Sequence, residues 1–212
     1  MGSPATRTDR SYGGKTAAER TSERRERLIE ATINVLAEYG EGRATMTAVC
    51  AGAGLTERYF YESFANLDDA MLIAFDQVCN EILTLAAQVI EETPGTPEER
   101  VHAVMQTFVD LVVAAPEKGK VAVMQASANP LLRTRRNELI GVFADFVARE
   151  AADLYGDHTW PEDRTRLFGV VYIAGFAELI SAWLNGDVEQ TPAELVDTAS
   201  DLFTALFRRT GA

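Results

Sequence analysis

The side chains with recognition chemistry to offer are concentrated in one short stretch. Positions 45–64 read TMTAVCAGAGLTERYFYESF, which sets Glu57, Arg58, Tyr59 and Tyr61 directly after Thr56. The spacing predicts two short helices, about 46–52 and 57–63, with Thr45 and Thr56 as N-caps. Gly52 and Gly54 fall in or near the turn between them. Val49, Leu55, Phe60 and Phe64 are spaced to share a small core. Such a unit presents its second helix outward, where the N-terminal residues can enter a DNA major groove. A generic helical hairpin has the same spacing, so periodicity alone leaves DNA binding open.

Catalytic chemistry finds little support. The two histidines, His102 and His158, have no partner at i+4 and no neighbouring Cys or carboxylate at a recognised metal spacing. There is no Walker loop, no G-x-G-x-x-G and no G-x-S-x-G. The sequence therefore predicts no enzyme, no catalytic residues, no metal and no cofactor. Two cysteines, Cys50 and Cys79, give no disulfide framework and point to a reducing compartment. Both read as packing residues, since a redox switch needs an exposed, low-pKa thiolate. No signal-peptide pattern opens the chain, and a cytoplasmic protein is expected.

The elements that must position this stretch read as helices throughout. The chain has 212 residues, 47% of them apolar and 25% charged. That composition excludes collagen, whole-chain disorder and a disulfide-stapled scaffold, and the length suffices for a real core. No segment alternates with period two. Six of the seven prolines fall between segments of helical period. We expect an all-α fold of about nine helices. Its first helix covers about 19–39, carries Leu28, Thr32, Val35 and Tyr39 on one face, and is ended by Gly40 and Gly42. A long helix over 67–92 follows Asn66. Thr96-Pro97-Glu98-Glu99 and Thr191-Pro192-Ala193-Glu194 each offer a capping Thr, then Pro, then Glu two residues beyond the Pro. A further helix should run from Asn129-Pro130 to about Tyr155. The apolar run 167–184 has nearly the length of a membrane span but contains Glu178, so a buried helix is expected.

Charge is uneven along the chain. The net charge is −12, yet residues 1–64 balance nine basic against nine acidic side chains, and residues 65–212 carry the whole excess. Only the N-terminal end tolerates a phosphate backbone.

Thr45, Met46, Val49, Cys50, Ala53, Gly54, Leu55, Thr56, Phe60, Tyr61 and Phe64 together form a specific pattern. In this pattern the chain resembles the TetR family of transcriptional repressors, with specific motifs confined to about residues 24–72 and similarity of architecture beyond. The resemblance implies that Thr45 caps the first motif helix and touches a phosphate, and that Thr56 caps the recognition helix. It implies that Glu57, Arg58 and Tyr59 read base edges, Arg58 by forking onto guanine and Glu57 by accepting from cytosine. Tyr61 would donate to a phosphate. Thr47 lies in the same interface, where the family often has a basic residue; Leu67 stands where the family commonly has Lys, and Glu62 adds a negative charge. Fewer phosphate contacts imply a shallower salt dependence. The expected organisation is a flexible basic arm over 1–18, a DNA-binding domain over 19–66, and an effector-binding and dimerisation domain over 67–212. Arg7, Arg10 or Lys15 in the arm would reach a minor groove or flanking phosphates.

In the larger part, the resemblance implies an internal pocket for a small, largely apolar effector. Met105, Phe108, Met124, Gln125, Phe143, Tyr172, Phe176 and Glu178 are the candidate lining residues, with Gln106 a further polar one. The last two helices, about 162–185 and 192–209, suit pairing with a second copy, the latter through Leu195, Ala199, Leu202 and Leu206. The expected partners are double-stranded DNA, an effector and a second copy of the chain. A helical ligand carrier or protein-interaction protein without specific DNA binding is the alternative, motivated by Leu67, Thr47 and the acidic balance.

Overall fold

The computed structural model describes residues 16–123 and 129–209. The arm residues Arg7, Arg10 and Lys15 and the pocket candidates Met124 and Gln125 lie outside them. Among the described residues the chain forms nine α-helices, one 3₁₀ turn and no strand. They are α1 (Ala17–Tyr39), α2 (Met46–Ala53), α3 (Glu57–Ser63), α4 (Leu67–Glu92), α5 (Pro97–Ala114), α6 (Pro116–Ala122), α7 (Pro130–Tyr155), α8 (Glu162–Asn185) and α9 (Pro192–Phe207). The 3₁₀ turn, Gly156–His158, follows α7.

Local chemistry sets most of these boundaries. Three capping boxes close on themselves: Thr16 with Glu19, Thr96 with Glu99 and Thr191 with Glu194. In each, the Thr oxygen accepts from a free N–H of the first turn while the Glu carboxylate accepts from the Thr amide. The first box starts α1 two residues before the expected 19. Backbone and side-chain hydrogen bonds from Thr16 and Thr191 hold the Glu19 and Glu194 carboxyls below the usual range. Asn66 and Asn129 cap α4 and α7 through the side-chain oxygen alone, which accepts from amides of the first turn. Thr56 does not fulfil its expected role. It occupies the N-cap position of α3, but its side chain makes no capping hydrogen bond.

Two apolar clusters organise the body. In the first, Leu28, Ile29, Ile33 and Leu36 of α1 pack with Val49, Phe60 and Phe64 of the helical hairpin. The same cluster continues through Ala70, Met71, Ala74 and Phe75 of α4 to Val121, Leu132 and Leu139. The small N-terminal unit therefore has no separate core. In the second, Val101, Met105 and Val109 of α5 pack with Tyr172 of α8 and with Leu195, Val196, Ala199, Phe203 and Phe207 of α9. The buried Tyr172 hydroxyl donates to the Ala199 carbonyl at 3.1 Å, with Met105 Sδ at 3.2 Å, so its polar end is satisfied.

Helices α7 and α8 approach closely where Gly169 meets Ala144. A Cβ on Gly169 would stand 2.6 Å from the Ala144 carbonyl oxygen, so only glycine fits. Both α4 and α8 are long and apolar enough to cross a membrane by composition alone. Here α4 packs against α1, α5, α6 and α7, and α8 lies along α7.

The turn before α3 depends on Gly54, in the left-handed region at φ 61° and ψ 38°. Its amide bonds back to α2 carbonyls, and the Leu55 amide reaches the Cys50 carbonyl at 3.0 Å. A Cβ there meets the left-handed penalty and stands 3.2 Å from Arg27 Nη2. Gly54→Ala is expected to cost about 1–2 kcal/mol in urea unfolding; an unchanged midpoint would contradict this role for the turn.

Candidate nucleic-acid interface and internal cavity

Helix α3 is held from behind by arginines of α1. Arg25 donates to the Ser63 carbonyl at the end of α3 (2.9 Å) and lies over the Phe64 ring, 4.8 Å from its centroid. Arg27 donates to the Ala53 carbonyl at the end of α2. Arg24 sits over the Tyr59 ring at 4.6 Å. The two carbonyl contacts satisfy helix-end acceptors that would otherwise lack partners. The sequence reading counted these cations as general basic charge. Their bracing role shows only in three dimensions.

With Phe60 and Phe64 buried behind it, α3 turns its other face to solvent. Thr45, Thr47, Thr56, Glu57, Arg58 and Tyr61 are all exposed. Thr45 accepts from the Ala48 amide at 3.2 Å and so caps α2. Tyr61 is 59% exposed. Tyr59 differs from the other candidates: it is half-buried under Arg24, which limits its reach to a base edge. Arg58 is paired with Glu62 at 2.9 Å, yet its side chain is 83% exposed. An exposed pair one turn apart on a helix is weak, so the guanidinium can exchange Glu62 for another acceptor.

A second feature lies in the body. A cavity of about 130 Å³ opens among α4, α5, α7 and α8, reaching Ala122 and Val123. It gathers the expected Met105, Phe108, Phe143, Tyr172 and Phe176. Phe108 and Phe176 tilt against each other at 5.2 Å, and Tyr172 stacks on Phe176 at 6.0 Å. Glu178 lies elsewhere, exposed on α8 and absent from the cavity wall. Gln106 is likewise outside it and donates to Asp110 at 2.8 Å. The physical reason is helical phase: Glu178 falls on the opposite side of α8 from Tyr172, Ile173 and Phe176. Sequence reasoning missed Arg136 and Thr107 in the wall. Arg136 repeats with Leu139, Ile140, Phe143 and Val147 at helical spacing, which is the signal that marks it.

No family model matches the sequence, and no curated protein matches it. Solved structures do match. The fatty acid degradation regulator FadR from Bacillus halodurans superposes with a TM-score of 0.75 at 18% identity, covering 92% of this chain and 100% of that one. FadR from Bacillus subtilis, solved in complex with stearoyl-CoA, gives 0.68 at 17% identity, covering 84% and 96%. A TetR-family regulator from Streptomyces coelicolor gives 0.69 at 19% identity, covering 87% and 80%. The chain has the TetR-type fold.

Within that TetR-type fold both thiols are chemically quiet. Burial is the main cause raising the Cys50 thiol, and burial pushes Cys79, on the cavity wall, up to about 12. An acid whose folded pKa lies above its unfolded value of about 8.5 stabilises nothing extra below 8.5. Above that pH the unfolded chain ionises and the folded one does not, so stability falls. The Cys79 contribution should steepen the loss between about pH 8.5 and 12 by ~1.4 kcal/mol per pH unit. Comparison of chemical unfolding of the wild type and Cys79→Ala across this window checks it; identical slopes would contradict it. A thiol reagent at neutral pH should label neither cysteine until the chain unfolds.

Proposed function

We propose that this chain is a member of the TetR family and a sequence-specific DNA-binding transcriptional regulator, working as a repressor that a small, largely apolar effector releases from DNA. The observation that carries the reading is α3, a short helix braced from behind whose exposed face holds Glu57, Arg58 and Tyr61. The fold shared with the regulators above supports it. In this reading 19–66 is the reader and 67–212 the effector-binding and dimerising part. Arg58 leaves Glu62 and forks onto guanine O6 and N7, which suits the fixed geometry of a guanidinium. Thr45 and Tyr61 contact phosphates, setting register without reading sequence.

A second copy completes the reader. Leu167 and Val171 on α8 are 63% and 61% exposed, and Val142 of α7 is exposed too. These apolar side chains would be covered in a two-fold dimer. The stripe expected on α9 is largely used inside the chain: Leu195 and Ala199 are buried, Leu206 is half-buried and only Leu202 is exposed. In this reading the dimer face keeps α8 of the expected last two helices and takes in α7 in place of most of α9. Two recognition helices then address a pseudopalindrome with half-sites about 34–36 Å apart or a multiple of this.

Effector binding would favour the conformer with wrongly spaced readers, and DNA the other. The cavity supports this part of the reading, as does the Bacillus subtilis neighbour solved with stearoyl-CoA, whose acyl chain is apolar.

Selection of duplexes from a random pool, followed by titration with variants, tests the reading. Arg58→Ala should weaken the selected site by ~1–3 kcal/mol and relax one base position. Tyr61→Phe should weaken all sequences alike by about 1 kcal/mol, and Glu62→Gln should strengthen binding by freeing Arg58 and removing a charge near phosphate. A pool with no enriched sequence favours the carrier reading. In sedimentation at micromolar concentration the wild type should be a dimer, and Leu167→Glu with Val171→Glu a monomer; a dimeric double variant would contradict the proposed face.

A further inference from the structure

Among the described residues the cavity wall carries one cation, and no described carboxylate lies beside it there. Arg136 is half-buried on α7, and among the described residues it makes no hydrogen bond or ion pair. Its neighbour Arg135 shows the contrast, with Asp76 at 2.7 Å and Glu138 at 2.9 Å. No described carboxylate lines the cavity; Thr107, Cys79 and the Tyr172 hydroxyl are the other polar groups there. That hydroxyl is already engaged with Ala199. A guanidinium with no described counter-charge is available to an anion, and its planar fork suits a carboxylate or phosphate.

The cavity's size bounds the apolar part of a ligand. It measures about 130 Å³. An apolar cavity of about 150 Å³ takes a ligand the size of benzene, so the enclosed space takes only a slender apolar group. Leu139, Ile140, Phe143 and Val147 follow Arg136 along the same face of α7, so a chain whose head meets Arg136 lies along apolar side chains.

We propose that the cavity takes an alkyl or acyl chain bearing an anionic head, and that Arg136 holds the head. This rests on the reading of the cavity as the effector site. A cationic ligand would be repelled, and a neutral one would leave Arg136 uncompensated. The anionic head has two sources, a free carboxylate or the phosphates of a coenzyme A thioester, which share the chemistry Arg136 recognises.

Calorimetric titration of the full chain with decanoate, decanoyl-CoA and decanol tests the assignment. Decanoate, decanoyl-CoA or both should bind saturably at one per chain and more tightly than decanol; which of them binds identifies the head. Arg136→Gln should weaken the anion about 10- to 100-fold and leave decanol unchanged, and Arg136→Lys should recover part of the loss. Decanol binding as tightly as the anions, or an Arg136→Gln chain with full anion affinity, overturns the anchor. Thermal unfolding establishes that Arg136→Gln is folded; should it not be, the wild-type comparison of anion with decanol and the Arg136→Lys affinity decide. Specific DNA binding is scored separately on the wild type. Its absence with anion binding intact overturns the regulator and spares the anchor, and the converse overturns the anchor alone.

Discussion

Helix α4 belongs to two places at once, and this constraint governs the rest of the structure. It is one uninterrupted helix, Leu67–Glu92. Its first turns pack Ala70, Met71 and Ala74 into the cluster formed by α1 and the helical hairpin. Phe75, Cys79, Ile82, Leu85 and Ala86 then line the cavity, and Ile90 reaches the second cluster. Packed interiors transmit displacement because they hold few voids to absorb it. A ligand that pushes on Phe75 or Ile82 therefore pushes on the seat of α1. Helix α6 offers a parallel route. Val121 lies in the α1 cluster while Ala122 and Val123 line the cavity. A third tie is polar: the Asn129 amide donates to Glu41 at 3.1 Å and its side chain to Asp68 at 2.9 Å, joining the start of α7 to the α1–α2 loop and the first turn of α4.

The same economy appears in the N-terminal unit. Two short helices of eight and seven residues cannot hold themselves. They are fixed by Phe60 and Phe64 from within and by Arg24, Arg25 and Arg27 from α1. Basic residues thus serve two ends, holding the hairpin together and keeping this end from sharing the strong negative charge of the remainder. Glu62 holds Arg58 in a weak, exposed pair that another acceptor can displace.

What the sequence made legible follows from how local each signal is. Capping Thr with Pro and Glu, or Asn with Pro, acts within one turn, so the starts of α5, α7 and α9 could be read directly. The hairpin was legible because Val49, Gly54, Phe60 and Phe64 have tightly constrained spacing. The missing side-chain cap at Thr56 was not legible, because the residue type favours a cap but does not fix its rotamer. Cavity aromatics such as Phe108 and Phe176 were foreseeable as large apolar groups on helices that must face inward. Glu178 misled because an acid in an apolar run suggests a buried partner, while α8 keeps one face exposed. Arg136 was hidden for the opposite reason: one more arginine in LLRTRRNEL looks like solvated surface until the phase of α7 is known. The α9 stripe was recognised as apolar, but periodicity cannot say whether such a stripe meets its own chain or another.

Reciprocity tests most directly whether α4 joins reader to cavity. Decanoate affinity should be measured on the full chain, free and saturated with its selected duplex. If the two sites compete through α4, bound DNA weakens decanoate by the same factor by which decanoate weakens DNA, since coupling free energy is shared between sites. Decanoate that binds the free and DNA-saturated chains equally well would contradict the account.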